Sequence, residues 1–249
     1  HRREELERQY KQQKELEHIK IKKPIFITGF ARSGSSILLN LLYKHTLLTS
    51  FTYQDYPFLM TPILWRYFLK FSTIKQSTSK VERIHQDRLK VNSFSPESFD
   101  EVFWKTFFSH LHHDNNSSLL TQSNRNSAFD LFYIRSIKKV LFLNSKKRFL
   151  CKNNYHFSRF EYLISLFPDA RFVFLYRNPI THVGSLIKQH TLLSKIHHKN
   201  PATLEQFKYL CHFEFGKCRR VLSLTSPETE KEIYLLWNLS SDIFSFNFT

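Results

Sequence analysis

The sequence predicts an α/β domain, a three-layer α/β/α sandwich built on a mainly parallel sheet. Two stretches carry this prediction: PIFITGFARSGSSILLN at Pro24–Asn40 and LCKNNYHFSRFEYLISLFPDARFVFLYRNP at Leu150–Pro179. In each stretch a short apolar run changes into a helical pattern, so the two together read strand, helix, strand and helix. That order is typical of parallel strands joined by right-handed helical crossovers.

The first stretch divides into a strand at Ile25–Ile27, a loop at Thr28–Ser35 and a helix over about Ser36–His45. The helix carries leucines on nearly all sides, which indicates that it is buried. Gly29 and Gly34 lie in the loop, although the whole chain has only 4 glycines. Glycine lets the backbone come close to a neighbouring group. This placement therefore indicates a loop whose backbone closely approaches a ligand or another segment.

The second stretch begins with a strand at Phe149–Lys152. Apolar residues then recur at helical spacing over 160–167, and a dense apolar strand follows at Arg171–Arg177. Asn178 is a residue type that caps helices and Pro179 suits the first helical position, so a further helix is expected there. Ligands of open α/β sheets collect outside the carboxyl ends of the strands, which directs attention to Lys152.

The domain organisation follows from changes in composition. Residues 1–22 are highly charged and predict a solvated helical stem or linker, and residues 23–249 form the α/β domain. Residues 73–125 are polar and Ser-rich, so we expect an insertion over one edge of the sheet. The chain begins with His1, and its last stretch, WNLSSDIFSFNFT, has no clear pattern. Both features are typical of a sequence cut from a longer protein. We therefore expect any membrane anchor to lie in a missing N-terminal segment.

The composition narrows the class of partner. The chain has 249 residues, a formal net charge of +16 and a pI near 9.8, which favours phosphate or sulfate esters, anionic glycans, nucleic acid or acidic membrane surfaces. No nucleic-acid recognition module is apparent, so specific nucleic-acid binding is not expected. The 3 cysteines lack metal-ligand spacing, so no metal site is expected either.

The loop itself predicts an anion site. Gly29–Gly34 has the four-residue gap of a P-loop and leads from a strand into a helix whose free N–H groups attract anions. Ser35 stands where a nucleoside triphosphatase needs lysine, so a triphosphate site with magnesium is disfavoured. What remains is a cradle of amides at Ser33–Ser36 and the guanidinium of Arg32. The loop is therefore P-loop-like and suits a smaller anion bound without metal.

Three motifs resemble those of the P-loop sulfotransferase superfamily. GFARSGSSILLNLL resembles the 5′-phosphosulfate loop of sulfotransferases that use 3′-phosphoadenosine 5′-phosphosulfate (PAPS), and YRNPITHVGSLIKQH resembles their 3′-phosphate segment. LCKNNYHFSRFEYLISLFPDARFVF is similar to their Lys-x-Pro-x-His, helix and Phe-Pro-Asp-Ala-Arg pattern. The resemblance covers roughly residues 23–190. The sequence departs from the usual form of these motifs at two places. Ala31 stands where proline is usual, and Asn153-Asn154 stands where Ser-Pro or Asn-Pro is usual.

The resemblance implies transfer of a sulfuryl group from PAPS to a hydroxyl or amine of a glycan, lipid, protein or small molecule, with 3′-phosphoadenosine 5′-phosphate (PAP) as the other product. It assigns the 5′-phosphosulfate to Arg32, Ser33, Gly34, Ser35 and Ser36, the 3′-phosphate to Arg177 and Ser185, and catalysis to Lys152 and Arg32. An anionic glycan is an acceptor that the net charge suits. The compartment is left open between the cytoplasm and the Golgi lumen.

Transfer also requires a base for the acceptor's proton, and in-line geometry places it in residues 73–125, the expected acceptor-site insertion. Glu82 and His85 are three residues apart, so on a helix they share one face and can act as base and orienter. Glu97 and Glu101 form a competing pair, although the helix macrodipole explains acidic residues at a helix start. We therefore predict Glu82 first and His85 second.

An alternative function stays open at this point. A non-catalytic member of the same fold would bind PAP or a polyanion without transferring a group. The departures at Ala31 and Asn154 and the net charge of +16 suit this alternative.

Overall fold

The computed structural model describes residues 14–56, 58–74, 76–113 and 116–220. Its strands are β1 (Ile25–Thr28), β2 (Leu48–Thr49), β3 (Val81–Glu82), β4 (Lys90–Val91), β5 (Arg148–Lys152) and β6 (Arg171–Phe174). Its helices from β1 onward are α1 (Ser35–Tyr43), α2 (Pro62–Phe71), α3 (Glu101–Phe107), α4 (Ser127–Leu143), α5 (Phe160–Leu166), α6 (Pro179–Lys199) and α7 (Pro201–Tyr209). Short 3₁₀ turns lie at Tyr53–Asp55, Gln122–Asn124, His156–Arg159 and Gly216–Cys218.

The central sheet has four strands in the order β2-β5-β1-β6, and every pair is parallel. In the register, Phe26 of β1 lies beside Cys151 of β5 and Phe172 of β6. β3 and β4 form a separate antiparallel pair. The predicted parallel sheet is therefore confirmed, and its strands end at a common edge.

Alternate residues of the strands face two different helical layers. Ile27 packs with Leu39 of α1 in one buried cluster. Phe26 belongs to a larger cluster on the opposite face, which also contains Trp104 of α3 and Tyr133 of α4. The domain is thus the three-layer α/β/α sandwich that the sequence predicts.

Residues 73–125 contribute to this core as well as to the sheet edge. Phe99, Phe103, Trp104 and Leu111 are buried in the larger cluster together with Phe26. Their aromatic and aliphatic side chains pack with residues of the sheet and of α4. The segment is therefore integrated into the domain and is not a separate cover.

Several boundaries differ from the prediction. β6 ends at Phe174, because Tyr176 and Arg177 beyond it are exposed and outside the sheet. Helical structure continues past Thr191 to Lys199.

The predicted stem is helical over residues 14–18, but Ile19 and Ile21 pack against the core. Residues 1–13 and 221–249 lie outside the described residues. Within the described part, no helix has the length and apolar character needed to cross a membrane.

Candidate active site

A cavity of about 410 Å³ lies where β1 and β5 end. Its lining comes from the loop after β1 with the start of α1, the turn between β3 and β4, and the segment after β4. The end of β5 and the residues after it, the residues after β6, and the end of α7 with the segment after it complete the lining. The polar and charged residues of this lining are Arg32, Ser33, Ser35, Ser36, Arg83, His85, Asp87, Glu97, Lys152, Asn154, Arg177, His212 and Glu214. The predicted anion loop and the predicted Lys152 and Arg177 thus border one cavity.

The loop after β1 presents backbone donors to this cavity. Gly29 has φ +141°, and a Cβ there would lie 2.4 Å from the carbonyl oxygen of Leu175, so this position requires glycine. Gly34 has φ +102° and precedes α1 without a side-chain cap. The first N–H groups of α1, starting at Ser35, are therefore available to an anion.

Arg32 connects the two segments that were predicted to bind anions. Its backbone is in the left-handed region with φ 72°. Its Nε donates to Ser185 Oγ at 3.3 Å, and its Nη1 donates to Asp87 Oδ2 at 2.9 Å. Ser185 lies on α6, and Arg177 immediately before that helix lines the cavity with an exposed side chain. The structure therefore brings these residues together, while their roles toward a ligand stay predictions.

Lys152 ends β5 and is buried at the cavity wall. Asn154, two residues later, accepts a hydrogen bond of 3.5 Å from Ser35 Oγ. Its Nδ2 donates to Glu214 Oε1 at 2.7 Å. One of the two asparagines that depart from the usual pattern therefore links the loop, the end of β5 and the segment after α7.

The other asparagine, Asn153, points away from the cavity into a buried cluster. Its Nδ2 donates to Asp100 Oδ1 at 2.9 Å and to Glu101 Oε2 at 2.8 Å. Arg159 donates to both carboxylate oxygens of Glu101 at 2.6 Å. Burial alone would raise the pKa of Glu101, but the charge and hydrogen bonds of Arg159 hold that pKa well below its usual range. Glu101 is thus fixed in an ion pair outside the cavity.

Metal-binding residue types also meet in this core. Asp100, Cys151 and His156 are buried, and one ligand atom of each lies within 4.8 Å of the others. Asp100 Oδ2 already accepts hydrogen bonds from Trp104 Nε1 at 3.2 Å and from the Tyr133 hydroxyl at 3.0 Å. The three residues are not part of the cavity lining, so they do not contribute to the anion site.

The predicted helical pair of Glu82 and His85 is wrong. Glu82 lies on β3, and its exposed carboxylate accepts a hydrogen bond from the Arg88 N–H at 2.6 Å, outside the cavity. Residues three apart share a face on a helix but not on a strand and its turn. His85 alone reaches the cavity, where its Nδ1 lies 3.3 Å from Gln189 Nε2. Burial, together with the charges of Arg83 and His212, lowers the pKa of His85 to about 3.

Arg83 holds two carboxylates of the cavity, those of Asp87 and Glu97, in place. Its Nη2 donates to Asp87 Oδ2 at 2.6 Å, and its Nη1 donates to Glu97 Oε2 at 3.3 Å. Burial alone would raise the pKa of Glu97, but the charges of Arg83 and Lys152 lower it to about 2. Burial would likewise raise the pKa of Asp87, yet hydrogen bonds from Arg83 and Arg32 hold it well below its usual range.

Sequence reasoning missed Arg83, Asp87, His212 and Glu214. The spacing of four residues between Arg83 and Asp87 was a signal for an ion pair, although the pair forms in a turn and not on a helix. His212 and Glu214 follow α7 in a stretch without a motif, so their place in the cavity has no local signal.

The chain is similar to known sulfotransferases. The model of the sulfotransferase family matches residues 24–210. Among curated proteins, none matches the chain significantly. Among solved structures, sulfotransferase STF1 of Mycobacterium tuberculosis H37Rv is similar at 16% identity with a TM-score of 0.44, over 73% of this chain and 53% of that protein. Sulfotransferase STF9 of Mycobacterium avium is similar at 14% identity with a TM-score of 0.43, over 83% of this chain and 61% of that protein.

The matched region therefore covers only part of these two solved proteins, 53% of one and 61% of the other. The family model, in contrast, extends from the first residues of β1 to the end of α7 and includes the loop, Lys152 and Arg177. Because that match spans most of the chain, the protein belongs to the sulfotransferase family.

Proposed function

We propose that this protein is a PAPS-dependent sulfotransferase, which transfers a sulfuryl group from PAPS to a hydroxyl or amine of an acceptor and releases PAP. The observation that carries the proposal is that the loop after β1, Lys152 and Arg177 all border the same cavity. Family membership supports the transfer of a sulfuryl group. The choice of donor rests on the chemistry of the cavity lining.

The lining suits a donor with two separate anionic groups. The N–H groups at the start of α1 and the guanidinium of Arg32 suit a 5′-phosphosulfate, since helix N-termini and arginines bind oxyanions. Arg177 of the lining suits a 3′-phosphate, and Ser185, which is bonded to Arg32 outside the lining, is the second residue that we assign to it. Ser33 Oγ is a buried hydroxyl of the lining and has no hydrogen-bond partner among the described residues. It is therefore free to donate to the 5′-phosphosulfate. The cavity volume of about 410 Å³ falls in the range of small-molecule sites, about 300–1,000 Å³.

Catalysis in such a site consists mainly of positioning and charge stabilisation. Lys152 is placed to stabilise the 5′-phosphate oxygen that leaves as the acceptor attacks sulfur. Arg32 is placed to neutralise the other oxygens of the phosphosulfate. Both cations are held before the ligand arrives, Lys152 by burial at the strand end and Arg32 by its bonds to Ser185 and Asp87. Such preorganised charges need little rearrangement during the reaction.

A second candidate function is non-catalytic binding of PAP or of another polyanion on the same fold. The ion pair between Arg32 and Asp87, at 2.9 Å, favours it, because the carboxylate competes with an incoming anion for this guanidinium. The net charge of +16 also suits a polyanion.

Thermal stability with PAP, ATP and heparin in parallel tests the proposal. We expect PAP to stabilise the protein without magnesium, by about 2.7 kcal/mol at a ligand concentration of 100 times its Kd. Stabilisation by ATP only in the presence of magnesium would instead indicate a triphosphatase, and stabilisation mainly by heparin would indicate a polyanion binder. Transfer of ³⁵S from labelled PAPS to any acceptor then separates an enzyme from a PAP binder.

A further inference from the structure

If the protein transfers sulfuryl groups as proposed above, a side chain at the cavity must accept the acceptor's proton. Three possible bases of the predicted insertion, Asp87, Glu97 and His85, reach the cavity without suiting this role. Asp87 accepts hydrogen bonds from Arg32 and Arg83, which hold its pKa well below its usual range. Glu97 is bound by Arg83 and by the Tyr53 hydroxyl at 2.8 Å, and its pKa is lowered to about 2. His85 is buried against Gln189, and its pKa is lowered to about 3. Groups that hold protons so weakly are poor bases near neutral pH.

Glu214 is a carboxylate of the cavity lining that has a different environment. It is half-buried and accepts a hydrogen bond from Asn154 Nδ2 at 2.7 Å. Within the part of the chain that the structure describes, it makes no ion pair. Asn154 also bonds Ser35 of the loop and follows Lys152 by two residues. Glu214 is therefore linked through one side chain, that of Asn154, to the loop of the proposed 5′-phosphosulfate site.

The segment that carries Glu214 is held firmly against α6. Phe213 and Phe215 on either side are buried in one cluster with Leu193 of that helix. Gly216 has φ +75°, and a Cβ there would lie 2.4 Å from His197 Nδ1, so only glycine fits this close approach. The backbone therefore fixes the position of Glu214, as a catalytic group requires.

The cationic residues of the same lining form no ion pair with Glu214 among the described residues. Four other titratable residues near Glu214 are uncharged near neutral pH. Burial lowers the pKa of His212, so its imidazole is neutral. Burial raises the pKa of Tyr155 well above its usual value, raises that of Cys211 to about 12 and raises that of Cys218. None of these groups offers Glu214 a positive charge that would hold it permanently in an ion pair.

Resting on the function proposed above, we propose that Glu214 is the general base of the transfer and that the acceptor is an uncharged or cationic hydroxyl or amine compound. The Glu214 carboxylate takes the proton of the attacking O–H or N–H group, whose lone pair forms the new bond to sulfur. The bond between sulfur and the 5′-phosphate oxygen breaks, and its electron pair stays on that oxygen beside Lys152. The products are PAP, the sulfated acceptor and a proton that Glu214 returns to solvent.

The charge of the cavity lining supports this class of acceptor. Among the described residues, the lining has four cationic side chains, Arg32, Arg83, Lys152 and Arg177, and three carboxylates, Asp87, Glu97 and Glu214. Its two histidines have lowered pKa values and are neutral. A 3′-phosphate alone carries about −1.5 to −2 charges at pH 7 and would cancel the small surplus of positive charge. An anionic acceptor would then meet repulsion from the donor and from Glu214.

The test is a Glu214→Gln variant, whose amide oxygen can still accept the hydrogen bond from Asn154. Single-turnover transfer of ³⁵S from PAPS is measured over about pH 3 to 9, a range that extends below the ordinary glutamate pKa of about 4.3, with 2-naphthol, tyramine, heparosan and water as acceptors. We expect the wild type to prefer 2-naphthol or tyramine and to lose rate at acidic pH. The variant should lose that acidic limb and about 10²- to 10⁴-fold in rate while it binds PAP normally. Glu82→Gln, an exposed glutamate outside the cavity, is the matched control and should keep the wild-type profile.

Each other outcome overturns a defined part of the proposal. A Glu214→Gln variant with near-normal rate, or with a reduced rate that keeps its acidic limb, means that Glu214 is not the base. A preference for heparosan overturns the class of acceptor. Wild-type protein that binds PAP but transfers to none of the acceptors, water included, overturns the role of Glu214 and leaves the donor site standing. Failure to bind PAP overturns the proposed function itself.

Discussion

Two charged clusters of this molecule both pair arginines with carboxylates, but only one of them borders the cavity at the ends of β1 and β5. The core cluster consists of Asp100, Glu101, His112, Asn153 and Arg159. The cavity cluster consists of Arg32, Arg83, Asp87, Glu97 and Glu214. Both lie next to the turn that follows Lys152, one on each side of it.

The side chains of the core cluster are buried and bonded to one another. Arg159 is fully buried, gives two hydrogen bonds to Glu101 and lies 4.7 Å from the ring centre of Trp104. In the cavity cluster, by contrast, Asp87 is shared by Arg32 and Arg83, and Glu214 is bound through the neutral amide of Asn154. Strong burial and lowered carboxyl pKa values occur in both clusters. What marks the functional one is a charged group that still faces a cavity.

The largest effect is expected where the core cluster is broken. Glu101→Gln leaves the buried Arg159 without its carboxylate, and breaking a buried pair in this way costs about 3 to 5 kcal/mol in the free energy of unfolding. Chemical denaturation measures this loss. Each kcal/mol should appear as a drop of about 2 to 4 °C in Tm for a chain of this size.

The matched control for this variant is Glu205→Gln. Glu205 forms an exposed pair with Lys208 at 2.7 Å, so its loss should change stability by less than about 1 kcal/mol. Folded Glu101→Gln protein should also bind PAP with unchanged affinity, since Glu101 is not at the cavity. Equal stability losses in the two variants would contradict the distinction between a buried core cluster and surface pairs.

The second effect lies at the boundary of the two clusters. Strand β5 places Cys151 in the core and Lys152 at the cavity. We expect Lys152→Ala to lower kcat by about 10²- to 10³-fold, the usual loss for one preorganised donor at a developing negative charge. Steady-state kinetics with PAPS measures it. Lys147→Ala, an exposed lysine just before the other end of β5, is the matched control. A Lys152 variant that loses only affinity for PAPS would make this lysine a binding group and not a catalytic one.

Much of the fold could be predicted from the sequence because its signals are local. The apolar run at Ile25–Ile27 and the capping pair Asn178 and Pro179 indicate a strand and a helix start without knowledge of the rest of the chain. The order of the strands could not be predicted, since it depends on packing between distant residues. The same holds for residues 99–111, whose polar neighbours in sequence concealed a contribution to the core.

The candidate site divides in the same way. Arg32, Lys152 and Arg177 were predicted from local signals: the P-loop-like spacing around Arg32, the strand end at Lys152 and the resemblance of all three segments to sulfotransferase motifs. Glu82 was misplaced because the argument assumed a helix, whereas Val81–Glu82 pairs with Lys90–Val91 across a turn. Glu214 had no signal, since α7 and the contact of Gly216 with α6 bring it to the cavity from a distant part of the sequence.

A smaller effect is expected at the exposed rim of the cavity. Arg177→Ala should weaken PAP binding by about 1.5 to 3 kcal/mol, the range for a hydrogen bond to a charged group. Titration calorimetry measures this loss, and thermal stability without ligand should stay unchanged because Arg177 is exposed. Arg171→Ala, at the other end of β6, serves as the matched control. Unchanged PAP affinity in the Arg177 variant would remove this residue from the donor site.

The smallest effect concerns one histidine near each cluster. Burial lowers the pKa of His85 at the cavity to about 3 and that of His156 in the core to about 4, from 6.5. As pH falls, the unfolded chain therefore protonates these histidines at a higher pH than the folded protein does. The stability that each neutral imidazole contributes is present above about pH 6.5 and is lost as pH falls toward the lower, folded-state pKa. Each histidine contributes a slope of up to about 1.4 kcal/mol per pH unit in that window.

Substitution of either histidine should therefore flatten the acid limb of the stability profile. His85→Asn and His156→Asn should each reduce the slope between about pH 6 and pH 5 by about 1 kcal/mol per pH unit, as urea unfolding at several pH values would measure. PAP separates the two, because an anion in the cavity favours the imidazolium form of His85, which lines the cavity, whereas His156 is fully buried and is not in the lining. The His85 contribution should shrink when PAP is bound, and the His156 contribution should stay. If PAP reduced both contributions equally, the cavity and the core would not be separate electrostatic environments.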